Sequence, residues 1–183
     1  MKTFIVTFLI TFCFYLSVYA QAPQDRAAEL KEQALSSLKQ KDYIKARYLF
    51  KKAYEAFAAR ENYPQAIECG IQANALYVRE NFYKEGFELC RDMEQFIWTG
   101  EQKQKKVFYD LRFPISKERL QMYIALKNPA QAKNQLDKLE EMAGLAKNDS
   151  LMEVLLYTKA NYYYTFTLGA SVLRSITRTM KSW

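Results

Sequence analysis

The run Asp42-Tyr43-x-x-Ala46-x-x-x-Phe50-x-x-Ala53 restricts the fold of this chain more than any other feature. After a short polar turn, an aromatic, a small residue, a second aromatic and a second small residue follow at helical spacing. Small side chains let a neighbouring helix backbone come close, and the rings fill the space beside them. Such a face is satisfied only when other helices lie on it. The pattern recurs at Gly86, Cys90 and Met93, and again at Ala132, Leu136 and Leu139. The small residues stand at 46, 86 and 132, at intervals of 40 and 46 residues.

Hydrophobic periodicity around these stripes predicts a series of helix hairpins. Gln24–Lys39 and Tyr43–Ala59 form the first pair, joined at Gln40-Lys41-Asp42. Pro64–Arg79 and Phe82–Trp98 form the second, with Glu80-Asn81 as the turn and Gly100 as the stop. In this pair one extra residue separates the turn aromatic Phe82 from the small residue Gly86. The third pair is less regular. Glu101–Arg112 reads as a helix interrupted by Pro114, Ser116 caps its continuation through Leu126, and Lys127-Asn128-Pro129 leads into a helix that runs to Ala143-Gly144. A fourth unit opens at Ser150-Leu151-Met152-Glu153, a capping box in which side chains satisfy the free amides of a helix start. Asn148-Asp149-Ser150 matches a glycosylation sequon and is read as a helix cap.

Composition agrees with helices. Among 183 residues there are only 5 glycines and 4 prolines, and half are hydrophobic. The formal charge is +7, but acidic and basic residues are interspersed as on solvated helix faces. The densest basic run, Lys103-Gln104-Lys105-Lys106, is short and reads as a helix surface, so nucleic acid is not an expected partner. The chain has no histidine, which removes imidazole acid–base chemistry, Ser-His-Asp and Cys-His triads and His-ligated zinc. No phosphate loop, paired CxxC or calcium loop is present. No catalytic residues, metal ligands or cofactors are expected.

Residues 1–20 have the parts of a secretory signal: Lys2, an apolar run from Phe4 to Tyr19, and Val18-Tyr19-Ala20 before a cut ahead of Gln21. The expected location is therefore periplasmic or secreted, with no membrane insertion of the mature chain unless the signal stays uncleaved. Cys13 would leave with the signal, and loss of Lys2 lowers the formal charge from +7 to +6. Cys69 and Cys90 remain. Export permits a disulfide between them, and two buried thiols are the alternative. After Phe166 the pattern stops. The tail 167–183 has no acidic residue and is rich in Ser and Thr. It reads either as a truncated or out-of-frame end or as a basic capping helix.

The Asp42–Ala53 run resembles the second half of a tetratricopeptide (TPR) repeat. The resemblance extends over residues 24–166. It implies an all-α, right-handed helical-hairpin solenoid of about three and a half irregular repeats, longer than the TPR period of about 34 residues. The implied domains are a signal peptide (1–20), the repeat domain (21–166) and an atypical tail (167–183). Tyr43, Ala46, Phe50, Ala53, Gly86, Cys90, Met93, Ala132, Leu136 and Leu139 are the expected packing residues. A groove lined by the first helix of each pair would bind a protein or peptide, with Asn74, Tyr77, Arg119 and Tyr123 as candidates. An exported start before degenerate TPR-like helices resembles the extracytoplasmic sensor region of certain bacterial histidine kinases and transcription regulators. The resulting expectation is a non-enzymatic sensor or input module, with a free-standing periplasmic scaffold or assembly factor as the alternative.

Overall fold

The computed structural model describes residues 26–168, which are all-α with no strand. The expected signal segment and the tail from residue 169 lie outside the described residues. Helix α1 covers 26–39. It is followed by α2 (Tyr43–Ala58), α3 (Tyr63–Arg79), α4 (Tyr83–Gln104), α5 (Tyr109–Ala125), α6 (Pro129–Ala146) and α7 (Asp149–Tyr163), which ends in a wide π turn, Tyr164–Leu168. Among the described residues, no helix is long and apolar enough to cross a membrane. The chain divides into two compact units, with the boundary between Ala73 and Asn74 inside α3.

In the first unit Ala34, Ala46, Phe50, Ala53, Ile67 and Cys69 are buried. Lys31 on α1 links to α3 twice. Its amine donates to Gln65 Oε1 at 2.9 Å and pairs with Glu68 at 2.7 Å. In the second unit α4 packs on α5, α5 on α6 and α6 on α7, and α5 also meets α7. Phe113, Leu120, Leu136, Leu139, Leu155 and Tyr162 belong to one buried cluster there. Helix α5 buries Phe113, Ile115, Ser116, Glu118, Leu120, Met122 and Ile124, more than one face of a helix. This is what a helix with neighbours on several sides must do.

Helices α2, α4 and α6 bury residues in one register. Ala46, Leu49, Phe50, Ala53 and Phe57 of α2 correspond to Gly86, Leu89, Cys90, Met93 and Ile97 of α4, and to Ala132, Gln135, Leu136, Leu139 and Ala143 of α6. Each set starts four residues after its N-cap, which is Asp42, Phe82 or Asn128. The extra residue expected before Gly86 is thus absent: Tyr83 is the counterpart of Tyr43, and Phe82 occupies the cap position. Tyr43 itself is half-buried.

The connections repeat as well. Lys41, Glu61, Asn81, Lys105, Lys127 and Lys147, one between each successive pair of helices, have φ between 50° and 63°. A left-handed non-glycine residue costs about 1–2 kcal/mol. The cost is offset because the next amide turns back onto the helix end. Asp42 bonds to the Ser37 carbonyl at 3.0 Å, Asn62 to Phe57 at 3.1 Å, Phe82 to Tyr77 at 2.9 Å and Asn128 to Tyr123 at 2.9 Å. The same polar residue then caps the next helix. Asp42 accepts from the Lys45 amide, Asn62 from Gln65, Asn128 from Gln131 and Asn148 from Ser150.

These turns correct several boundaries read from the sequence. Gly100 is buried inside α4, and the helix ends at Gln104 with Lys105 left-handed. Gly144 is not a stop either, because α6 continues to Ala146. None of the described glycines has positive φ, so the left-handed step falls on other residues. The break expected at Pro114 lies instead at 105–108. Pro114 lies inside α5, where it lacks the amide that would bond to the Asp110 carbonyl, and the helix continues through it. Ser116 is buried within α5 and is not a cap. The start of α7 is capped by Asn148 and not by Ser150, because Ser150 already lies in the first turn.

Candidate functional site

Three helical stripes in the second unit line a groove of about 600 Å³. Arg91, Glu94, Gln95 and Trp98 come from α4. Tyr109, Arg112, Ser116 and Arg119 come from α5. Lys138, Glu141, Met142 and Leu145 come from α6, together with Gln135, and Val107 is contributed by the α4–α5 loop. Apart from the adjacent pairs Glu94–Gln95 and Glu141–Met142, successive residues within each stripe fall three or four apart, the spacing that keeps side chains on one helix face. Trp98, Val107 and Leu145 are 51%, 47% and 55% exposed. Three large apolar side chains open to solvent in one recess distinguish it from an ordinary polar helix surface.

The frame of the groove is electrostatic. Glu101, buried at the end of α4, accepts from the Phe108 amide at 2.8 Å and from Arg112 Nε at 2.7 Å, and its other oxygen pairs with Arg112 Nη2. Burial works to raise the Glu101 carboxyl, but the bonds from Arg112 and the Phe108 amide outweigh it and hold the group below its usual range. One carboxylate thereby fixes the end of α4, the loop and the start of α5. Arg119 Nη1 lies 3.0 Å from Glu94, and its buried Nε has no hydrogen-bond partner among the described residues. Arg91, Lys138 and Glu141 form no ion pair among the described residues.

A buried polar cluster lies elsewhere in the same unit. Asn74 is fully buried, and its amide donates to Glu118 Oε2 at 3.3 Å, while its Oδ1 has no hydrogen-bond partner among the described residues. Burial pushes the Glu118 carboxyl up, opposed by the bond from Asn74 and by Lys117. Gly86 makes this cluster possible. A Cβ there would fall 2.8 Å from Met122 Sδ, 3.1 Å from Asn74 Oδ1 and 3.8 Å from the Tyr77 Cβ.

The four groove candidates from the sequence do not form a single site. Asn74 and Tyr77 adjoin Gly86, and Asn74 has a protein partner in Glu118. Tyr123 packs on Phe87 with ring centroids 4.8 Å apart. Arg119 alone lines the groove described above. Sequence reasoning missed Trp98, Met142, Leu145, Arg91 and Lys138. A signal was present in Phe96-Ile97-Trp98, which has three apolar residues where the buried stripe uses only Ile97. The packing residues Ala46, Phe50, Ala53, Cys90, Met93, Ala132, Leu136 and Leu139 are all fully buried.

Cys69 and Cys90 are free thiols. Burial pushes Cys69 up to about 11 and Cys90 up to about 12. No group of three or more His, Cys, Asp or Glu among the described residues is placed to hold a metal. Compared with family models, curated proteins and solved structures, the chain matches none.

Proposed function

We propose that this chain is an exported, non-enzymatic module that binds a protein or peptide, built as a right-handed TPR-like hairpin solenoid and serving as the input region of a signalling protein. The observation that carries the binding reading is the groove of α4, α5 and α6, where Trp98, Val107 and Leu145 stay open to solvent. The solenoid reading is supported by the shared burial register of α2, α4 and α6 and by the repeated left-handed turns. It is also supported by contacts between first helices within each unit, Lys31 of α1 to α3 and α5 to α7. A stacked hairpin needs such contacts because it cannot bury its apolar face alone. The sensor role rests on the resemblance and on the signal-like start.

A photo-crosslinking residue placed at Trp98, and separately at exposed Tyr48 of α2, tests the binding reading. Crosslinking of the full chain in its native host is expected to give a discrete protein adduct from position 98 and none from position 48. Adducts from both positions alike, or from neither, would refute the groove as a binding site.

A further inference from the structure

The groove also has a chemical preference. Two of its cations are already neutralised, Arg112 by Glu101 and Arg119 by Glu94. Arg91 on one wall and Lys138 on the other form no ion pair among the described residues, and Glu141 is the lining carboxylate not already paired there. Exposed Lys105 and Lys106, the last two residues of the densest basic run, immediately precede Val107 in the loop that reaches the groove. On the lining four cations, Arg91, Arg112, Arg119 and Lys138, outnumber two carboxylates, Glu94 and Glu141, beside an apolar strip of Trp98, Val107 and Leu145.

We propose that this groove takes an acidic peptide segment, with an apolar side chain seated beside Trp98 and Leu145 and carboxylates between Arg91, Lys138 and the Lys105–Lys106 edge. The proposal rests on the peptide-binding reading above and adds the class of ligand. A phosphate-rich bilayer surface would satisfy the same cations. The apolar residues line a recess, however, and a recess suits a chain segment better than a flat surface. Charge complementarity of this kind selects among partners by speeding encounter and by rejecting like charge.

Selection of a random dodecapeptide library on the immobilised full chain tests it, with the Arg91→Glu, Lys138→Glu double variant as the comparison. Both positions are on helix surfaces, and circular dichroism verifies that the variant remains folded. The expected result is enrichment of peptides that combine Asp or Glu with a large apolar residue. Their affinity should fall about tenfold on the double reversal, at a few-fold per charge, and should weaken with added salt. Enrichment of neutral or basic peptides would overturn the acidic preference while leaving peptide binding in place. Absence of any enriched peptide would overturn both readings. If phosphatidylglycerol vesicles instead bind the chain and lose it on the same reversals, with no acidic peptide enriched, the groove is a membrane contact and the proposal falls.

Discussion

At Gly86 the missing side chain matters more than any that is present. A Cβ there would meet Met122 Sδ at 2.8 Å and Asn74 Oδ1 at 3.1 Å, and both neighbours are fully buried. Gly86→Ala gains about 1 kcal/mol of helix propensity but overpacks by about 1–3 kcal/mol, so urea unfolding should show a net loss. At Gly144 nothing lies within 4 Å, and Gly144→Ala should raise stability by about 1 kcal/mol in the same measurement. Glu118 provides the pH-dependent counterpart. Its carboxyl, raised by burial above the ordinary value of 4.5, binds a proton more tightly in the folded chain than in the unfolded one. Its contribution is therefore fully present below that ordinary value and is lost as pH rises through the raised one. Glu118→Gln cannot ionise, and its amide can accept from Asn74 and also donate to the unpartnered Asn74 Oδ1. At pH 7 the variant should be more stable, by about 1 kcal/mol for the added hydrogen bond alone. The advantage should shrink as the pH falls toward 4.5. Urea midpoints that move in parallel across this range would contradict the assignment.

Among the elements, the turns show the most consistent design. Each sets a left-handed residue at the end of one helix and caps the next helix with the residue that follows, or nearly so. The Asp42, Asn62, Asn128 and Asn148 side chains fill that role, and Phe82 and Phe108 do not. Phe82→Asp should therefore stabilise α4 by up to about 1 kcal/mol, seen as a higher melting temperature. Lys127→Gly should relieve part of the left-handed cost and raise stability by up to about 1 kcal/mol, net of the entropy of a glycine. Much of this was legible in the sequence. Lys41-Asp42, Lys127-Asn128 and Lys147-Asn148 are the same turn written three times, and the stripe at Ala46, Phe50 and Ala53 located its own copies. The helix ends were not legible, because Gly100 and Gly144 look like stops by residue type alone. Whether a glycine adopts the left-handed conformation depends on where the neighbouring helix needs the chain to turn, and here that place is five residues after Gly100, at Lys105, and three after Gly144, at Lys147.

At the scale of the whole molecule, burial governs the chemistry of the side chains. Cys69 and Cys90 are buried, and their thiols are raised to about 11 and about 12. Iodoacetamide at pH 8 should leave both unmodified in the folded protein and modify both in urea, as read by peptide mass spectrometry. Modification of either in the folded state would show that its packing opens. The candidate groove is also a product of packing. Its residues come from three helices and a loop, and no stretch of sequence contains more than one wall of it. By itself the sequence determined the all-α class, the positions of the small and aromatic packing residues and the reuse of one burial register in α2, α4 and α6, because these follow from local periodicity and turn chemistry. Only the tertiary structure decided that Asn74 would be held by Glu118, that the break would fall after Gln104 under the hold of Glu101, and that Trp98 and Leu145 would share a recess. Each of these depends on which residues distant in the chain are brought within a few ångströms, and periodicity along one helix carries no information about its neighbours.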